Sequence, residues 1–113
     1  MNLSAEVLKH QPMVEKYARE YGISEYVNVL LAIIQVESGG TAEDVMQSSE
    51  SLGLPPNSLD TESSIKQGCK YFASLLSSDE IMRFSSEWFY QGELKSAPEV
   101  KYRSIWKSRR KHN

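Results

Sequence analysis

The sequence is poor in the residues that most catalytic and metal-binding chemistries require. Its 113 residues include one cysteine, so no internal disulfide can form. Its two histidines, His10 and His112, lie near opposite ends of the chain, so they lack the spacing of zinc ligands. Neither is a good candidate for Ser-His-Asp or Cys-His catalysis. No glycine-rich phosphate loop follows a strand. We therefore expect no metal and no cofactor.

Long apolar runs are also absent. The longest one, residues 27–36, is interrupted by Asn28 and Gln35, and it is too short to span a bilayer. Residues 1–20 are polar and charged, so no signal peptide is predicted in this chain. We expect no transmembrane segment, and either a cytoplasmic chain or a piece of a longer exported protein.

Charge is unevenly distributed along the chain. Residues 1–78 hold ten acids and five bases, whereas residues 79–113 hold five acids and eight bases. Residues 101–113 contain six bases and no acid. Such a tail could bind nucleic acid, anionic wall polymers or a membrane surface. A short terminal basic run is more often a solvated tail, so no nucleic-acid partner is expected.

The pattern of apolar residues is helical, and no period-two strand pattern stands out. We predict helices over residues 12–21, 24–37, 42–48 and about 60–76, with Ser24 and Thr41 as caps and Cys69 buried in the last one. Residues 48–60 are predicted as a loop, and residues 81–89 as a weaker amphipathic helix. The fold class predicted is all-α, with residues 24–37 as the central buried helix.

Glu37 carries the most informative chemistry. It lies at the end of the apolar helix, on the stripe that should face the core. Partial desolvation there favours the protonated carboxyl, which can donate a proton to a leaving glycosidic oxygen. Gly39 and Gly40 would keep the backbone open for a bulky polymer. Spacing alone favours the alternative, a solvated glutamate at a helix end.

A second polar cluster follows at residues 44–51. Asp44 could serve as a second carboxylate, and Gln47, Ser48 and Ser49 could bind sugar hydroxyl and acetamido groups. The alternative for Asp44 is an acid in the first turn of a short helix, where it complements the helix dipole.

These residues carry a family resemblance. Glu37-Ser38-Gly39-Gly40 followed by Asp44-Val45-Met46-Gln47-Ser48-Ser49-Glu50-Ser51 resembles the active-site segment of the CwlT-type lysozyme-like domain. Related segments occur in goose-type lysozymes and soluble lytic transglycosylases. Residues 17–36 and 64–76 are similar to the same domain, so the resemblance covers roughly residues 3–78.

The resemblance implies an all-α lysozyme-like fold and cleavage of the β-1,4 bond between N-acetylmuramic acid and N-acetylglucosamine in peptidoglycan. It implies Glu37 as general acid, Asp44 as a second catalytic residue, and substrate binding by Ser38, Met46, Gln47, Ser48 and Ser49. It also implies a companion peptidase domain in a longer protein, an extracellular or cell-wall location, and Gram-positive hosts with conjugative elements.

The C-terminal third departs from the family pattern. The Ala-Tyr-Asn-Tyr/Phe-Gly type of segment that completes the family's cleft is not found in residues 79–113. We therefore divide the chain into a lysozyme-like catalytic half, residues 1–78, and a divergent segment with a basic tail, residues 79–113. Two accounts fit this departure: a truncated or frame-shifted copy whose fold is incomplete at its C-terminus, or a variant with a replaced C-terminal half. The alternative function is an inactive or truncated module that binds peptidoglycan without cleaving it.

Overall fold

The structure, a computed structural model, describes residues 2–76. This range is helical and contains no β-strand, which confirms the predicted all-α class. The α-helices are α1 (Ala5–Leu8), α2 (Gln11–Glu20), α3 (Val27–Glu37) and α4 (Thr61–Leu75), with 3₁₀ turns at Ser24–Tyr26 and Ser49–Leu52. The predicted helix over residues 81–89 and the basic tail lie outside the described residues.

Helix α3 is the central helix of the domain, as predicted. All six residues from Val29 to Ile34 are buried, and Leu30 and Ile34 are completely inaccessible. A helix that is apolar on all sides is stable only when other elements surround it. Helices α1 and α2 both pack against α3, and α2 also packs against α4.

Helix α4 begins where the sequence predicts. Asp60 caps it by accepting a 2.7 Å hydrogen bond from the backbone N–H of Ser63. The predicted burial of Cys69 is confirmed, and Ile65 and Phe72 of the same helix are also fully inaccessible. The ring of Phe72 lies 5.4 Å from that of Tyr26, centroid to centroid, and so joins α4 to the start of α3.

The prediction that Ser24 caps a single helix over residues 24–37 is wrong. Residues Ser24–Tyr26 form a 3₁₀ turn without a side-chain cap, and the α-helix starts at Val27. Helix α1 was not predicted, since its four residues carry too little periodic signal. Ser4 caps it by accepting a hydrogen bond from Val7 N at 3.3 Å.

The helix predicted over residues 42–48 does not form. The chain bends there instead, and Gln47 has a φ of +50°, in the left-handed region that an α-helix excludes. The side chain of Asp44 accepts a hydrogen bond from Ser48 N at 3.1 Å, and such local bonding competes with helix formation. Thr41, the predicted cap, donates its hydroxyl to Ser38 O instead.

Candidate active site

Glu37 is the last residue of α3, at the boundary between the core and the following turn. The residue is half-buried, and its Oε1 atom is inaccessible to solvent. Ser38 ends the helix with a φ of −144°. Its hydroxyl donates to Val45 O at 2.7 Å, which joins the end of α3 to the next segment of the chain. Glu37 is therefore held between a buried helix and a turn that is itself hydrogen-bonded.

The two glycines after Ser38 have different surroundings. Gly39 and Gly40 have φ values of +64° and +84°, which favour glycine over other residues. A Cβ atom on Gly39 would meet only the tip of Gln35, at 4.0 Å. A Cβ atom on Gly40 would lie 2.6 Å from Glu6 O and 2.9 Å from Val7 N. The expectation that both glycines open the backbone to a polymer is therefore wrong for Gly40, because α1 occupies that space.

The residues that flank α1 make two long-range contacts, one with the end of α3 and one with this turn. Ser4 N donates to Gln35 Oε1 at 2.8 Å, and Nε2 of His10 lies 3.1 Å from Gly40 O, within hydrogen-bonding distance. Sequence reasoning assigned His10 no role, and nothing local in the sequence links it to residue 40. The N-terminal segment thus braces the turn beside Glu37.

Asp44 is deeply buried, with 1% of its surface exposed. Its Oδ1 atom accepts hydrogen bonds from Ser48 N at 3.1 Å and from Ser64 Oγ at 2.5 Å. Its Oδ2 atom accepts a short hydrogen bond from the hydroxyl of Ser49. A buried carboxylate needs such donors, because an unpaired buried charge is strongly unfavourable. No helix begins at this position, so the dipole explanation of Asp44 does not apply.

Ser64 connects this segment to α4. It is completely buried, and its hydroxyl also accepts a hydrogen bond from Met46 N at 3.0 Å. The hydroxyl of Ser48 donates to Ser64 O at 2.8 Å. One turn along α4, a Cβ atom on Gly68 would clash with Met46 Sδ. Sequence reasoning missed Ser64, although small residues at positions 64 and 68 mark a helix face that allows close approach.

Gln47 is the partly exposed residue of the sequence Met46-Gln47-Ser48-Ser49. Its side-chain amide Nε2 atom donates to Asp44 O at 2.9 Å and to Asn57 Oδ1 at 2.7 Å. The left-handed backbone at Gln47 and at Asn57 (φ +62°) makes this a constrained turn.

The structure separates the predicted site residues into two groups. Glu37, Ser38 and Gln47 keep accessible surface, whereas the other four are at most 1% exposed: Asp44, Met46, Ser48 and Ser49. The burial of that second group argues against direct contact between those side chains and a glycan. Their hydrogen bonds hold the segment between α3 and α4 in place.

Within residues 2–76, no three His, Cys, Asp or Glu side chains come together as a metal site would require. In the same part of the chain, no helix combines the length and apolar character of a membrane crossing.

Residues 4–89 match the family described as lysozyme-like, which is well over half of the chain. The chain belongs to the lysozyme-like family. The family match extends past residue 78, the predicted domain boundary, which stays a prediction. The resemblance inferred from the Glu37 and Asp44 segments is confirmed at the level of the family.

Individual relatives of this lysozyme-like chain are longer proteins. The bifunctional muramidase/DL-endopeptidase CwlT of Bacillus subtilis (strain 168) is 48% identical over 73 residues, covering 64% of this chain and 22% of CwlT. The pneumococcal vaccine antigen A homolog of Streptococcus pyogenes serotype M1 is 44% identical over 63 residues, covering 55% of this chain and 32% of that protein.

A solved structure agrees with the fold. The crystal structure of a protein similar to a lipoprotein of the NLP/P60 family, from Staphylococcus aureus subsp. aureus Mu50, superposes with a TM-score of 0.68 at 72% identity. The superposition covers 69% of this chain and 26% of the other. The lysozyme-like chain thus spans between about a fifth and a third of these three relatives.

Proposed function

We propose that the chain cleaves peptidoglycan glycan strands at the β-1,4 bond between N-acetylmuramic acid and N-acetylglucosamine. Glu37 is the general acid of this reaction. The observation that carries the proposal is the position of Glu37, half-buried at the end of the central helix of a lysozyme-like domain. The Bacillus subtilis relative is a bifunctional muramidase/DL-endopeptidase, which supports the same substrate class.

The chemistry follows from the surroundings of the carboxyl group. One carboxyl oxygen of Glu37 is inaccessible to solvent, and a glutamic acid placed against the glycosidic oxygen can donate the proton that the leaving sugar needs. Ser38 and Gln47 retain accessible surface, and we assign them to substrate contact. Either water or the substrate's own hydroxyl can then complete the cleavage, giving hydrolysis or transglycosylation.

The proposal also covers where the domain works and which domain accompanies it. The relatives are described as a muramidase/DL-endopeptidase and as similar to an NLP/P60 lipoprotein, and this chain covers 22% and 26% of them. We therefore propose that the domain works outside the cell or at the wall, beside a peptidase domain of a longer protein.

The test is a wall-clearing assay with the full chain. Glu37→Gln keeps the size of the side chain but cannot donate the proton, and loss of general acid catalysis lowers the rate about 10²–10⁴-fold. Glu43→Gln, which removes an exposed acid nearby, is the matched control and should clear walls like the parent. Retained clearing by Glu37→Gln would contradict the assignment. Mass spectrometry of the released muropeptides distinguishes the two reactions, because hydrolysis leaves a reducing end and transglycosylation leaves an anhydro sugar.

The alternative is a module that binds glycan without cutting it. It is favoured by the lack of the Tyr-Asn-Gly type of segment in residues 79–113. In that case the protein sediments with purified walls but leaves their turbidity unchanged. A chimera with a family-type C-terminal half would then gain clearing activity that depends on Glu37.

A further inference from the structure

We propose that Asp44 is a positioning residue of the glycan-cleaving site, and that it does not act as a second catalytic carboxylate. The proposal rests on the proposed function of Glu37. Asp44 accepts hydrogen bonds from Ser48 N, Ser49 Oγ and Ser64 Oγ, which together hold the segment between α3 and α4.

The accessibility of Asp44 excludes a direct role in this arrangement. A nucleophile must present a lone pair to the anomeric carbon, and a general base must contact the attacking water. Asp44 is 1% exposed, and each of its carboxylate oxygens is directed at a donor within the protein. Ser49 and Ser64, two of those donors, are themselves at most 1% exposed. Substrate and water therefore have no route to this carboxylate.

The hydrogen bonds lead from Asp44 to both parts of the site. On one side, the neighbouring Val45 O accepts the hydroxyl of Ser38, the residue after Glu37. On the other, Asp44 O accepts the side-chain amide of Gln47, whose backbone is held at a φ of +50°. These two bonds use main-chain oxygens, so they depend on where the segment lies. The carboxylate of Asp44 fixes that position through its bonds to Ser48, Ser49 and Ser64.

This role predicts a specific response to conservative substitution. In Asp44→Asn, the remaining oxygen can still accept from Ser48 N and Ser64 Oγ, and the new NH₂ group can donate to Ser49 Oγ. A serine hydroxyl has two lone pairs, so Ser49 Oγ can accept from this NH₂ group beside the bond that it already accepts from Ser58 N at 3.0 Å. Asp44→Ala instead leaves three buried donors without their acceptor. A second catalytic carboxylate would tolerate neither change, whereas a positioning residue tolerates the first.

The experiment compares Asp44→Asn, Asp44→Ala and Glu37→Gln with the parent chain, and Glu43→Gln serves as the charge-matched control. Wall clearing is measured against substrate concentration, so that kcat and KM separate. We expect kcat for Asp44→Asn within about threefold of the parent, and for Asp44→Ala about 10- to 100-fold lower, because small displacements of reacting groups are costly. Loss of activity in Asp44→Asn comparable to that in Glu37→Gln would overturn the proposal.

A second measurement does not depend on activity. Amide hydrogen exchange at Ser48 reports directly on its bond to Asp44. We expect exchange about 10- to 100-fold faster in Asp44→Ala and near the parent rate in Asp44→Asn, as for loss of one buried hydrogen bond. If the parent chain does not clear walls, the proposed function fails, while this exchange pattern still decides whether Asp44 holds the segment. Unchanged exchange in Asp44→Ala would refute the positioning role.

Discussion

The contact between Gly40 and α1 allows a sharp test of how the N-terminus supports the site. In Gly40→Ala, the new Cβ atom would lie 2.6 Å from Glu6 O and 2.7 Å from Glu6 C. These are backbone atoms, so no side-chain rotation can relieve the clash. Helix α1 would have to move, and the hydrogen bonds of Ser4 and His10 to this region would lengthen.

Gly39→Ala is the matched control for this substitution. Both glycines have positive φ, so both alanines carry the backbone cost of the left-handed region, about 1–2 kcal/mol. At Gly39 the nearest atom is 4.0 Å away, so no steric cost is added. Overpacking at Gly40 adds about 1–3 kcal/mol. The difference between the two variants therefore measures the packing of α1 alone.

The measurement is thermal unfolding followed by circular dichroism. With roughly 5 °C of melting temperature per kcal/mol for a chain of this size, Gly39→Ala should lower Tm by about 5–10 °C and Gly40→Ala by about 10–25 °C. Equal melting temperatures for the two variants would refute the packing of α1 against this turn.

Two further predictions concern the core. Leu30→Ala should lower the free energy of unfolding by about 2–5 kcal/mol, because Leu30 is fully buried in α3. Leu52→Ala is the control: this residue is 51% exposed, and the free energy of unfolding should change by less than about 0.5 kcal/mol. Urea unfolding measures both variants, and a Leu30→Ala variant as stable as the parent would contradict the core assignment. Burial raises the pKa of the Cys69 thiol to about 12, so native protein should resist a maleimide reagent at pH 8 and react once unfolded; rapid labelling of the native chain would contradict this.

The sequence predicted the elements whose signals are local. Helices α3 and α4 carry apolar residues at helical spacing over three or more turns. The pattern is readable in the sequence because each helix buries a continuous face. The start of α4 near residue 60 was predicted, and the structure shows that Asp60 caps the helix there. The family was recognisable from the segment that starts at Glu37, because its residues are specific in combination.

Only the tertiary structure decided the conformation and the contacts of the segment between α3 and α4. Residues 42–48 carry an acceptable helical pattern, yet Asp44 accepts from Ser64, twenty residues away, and the chain bends instead. Gly40 was expected to leave open space, yet the backbone at Glu6 fills it. Both outcomes depend on partners distant in sequence, and no local pattern records a distant donor or a neighbouring backbone. The sequence by itself therefore determined helices α2, α3 and α4 and the family, and tertiary packing decided which polar residues of the segment keep accessible surface and which are buried.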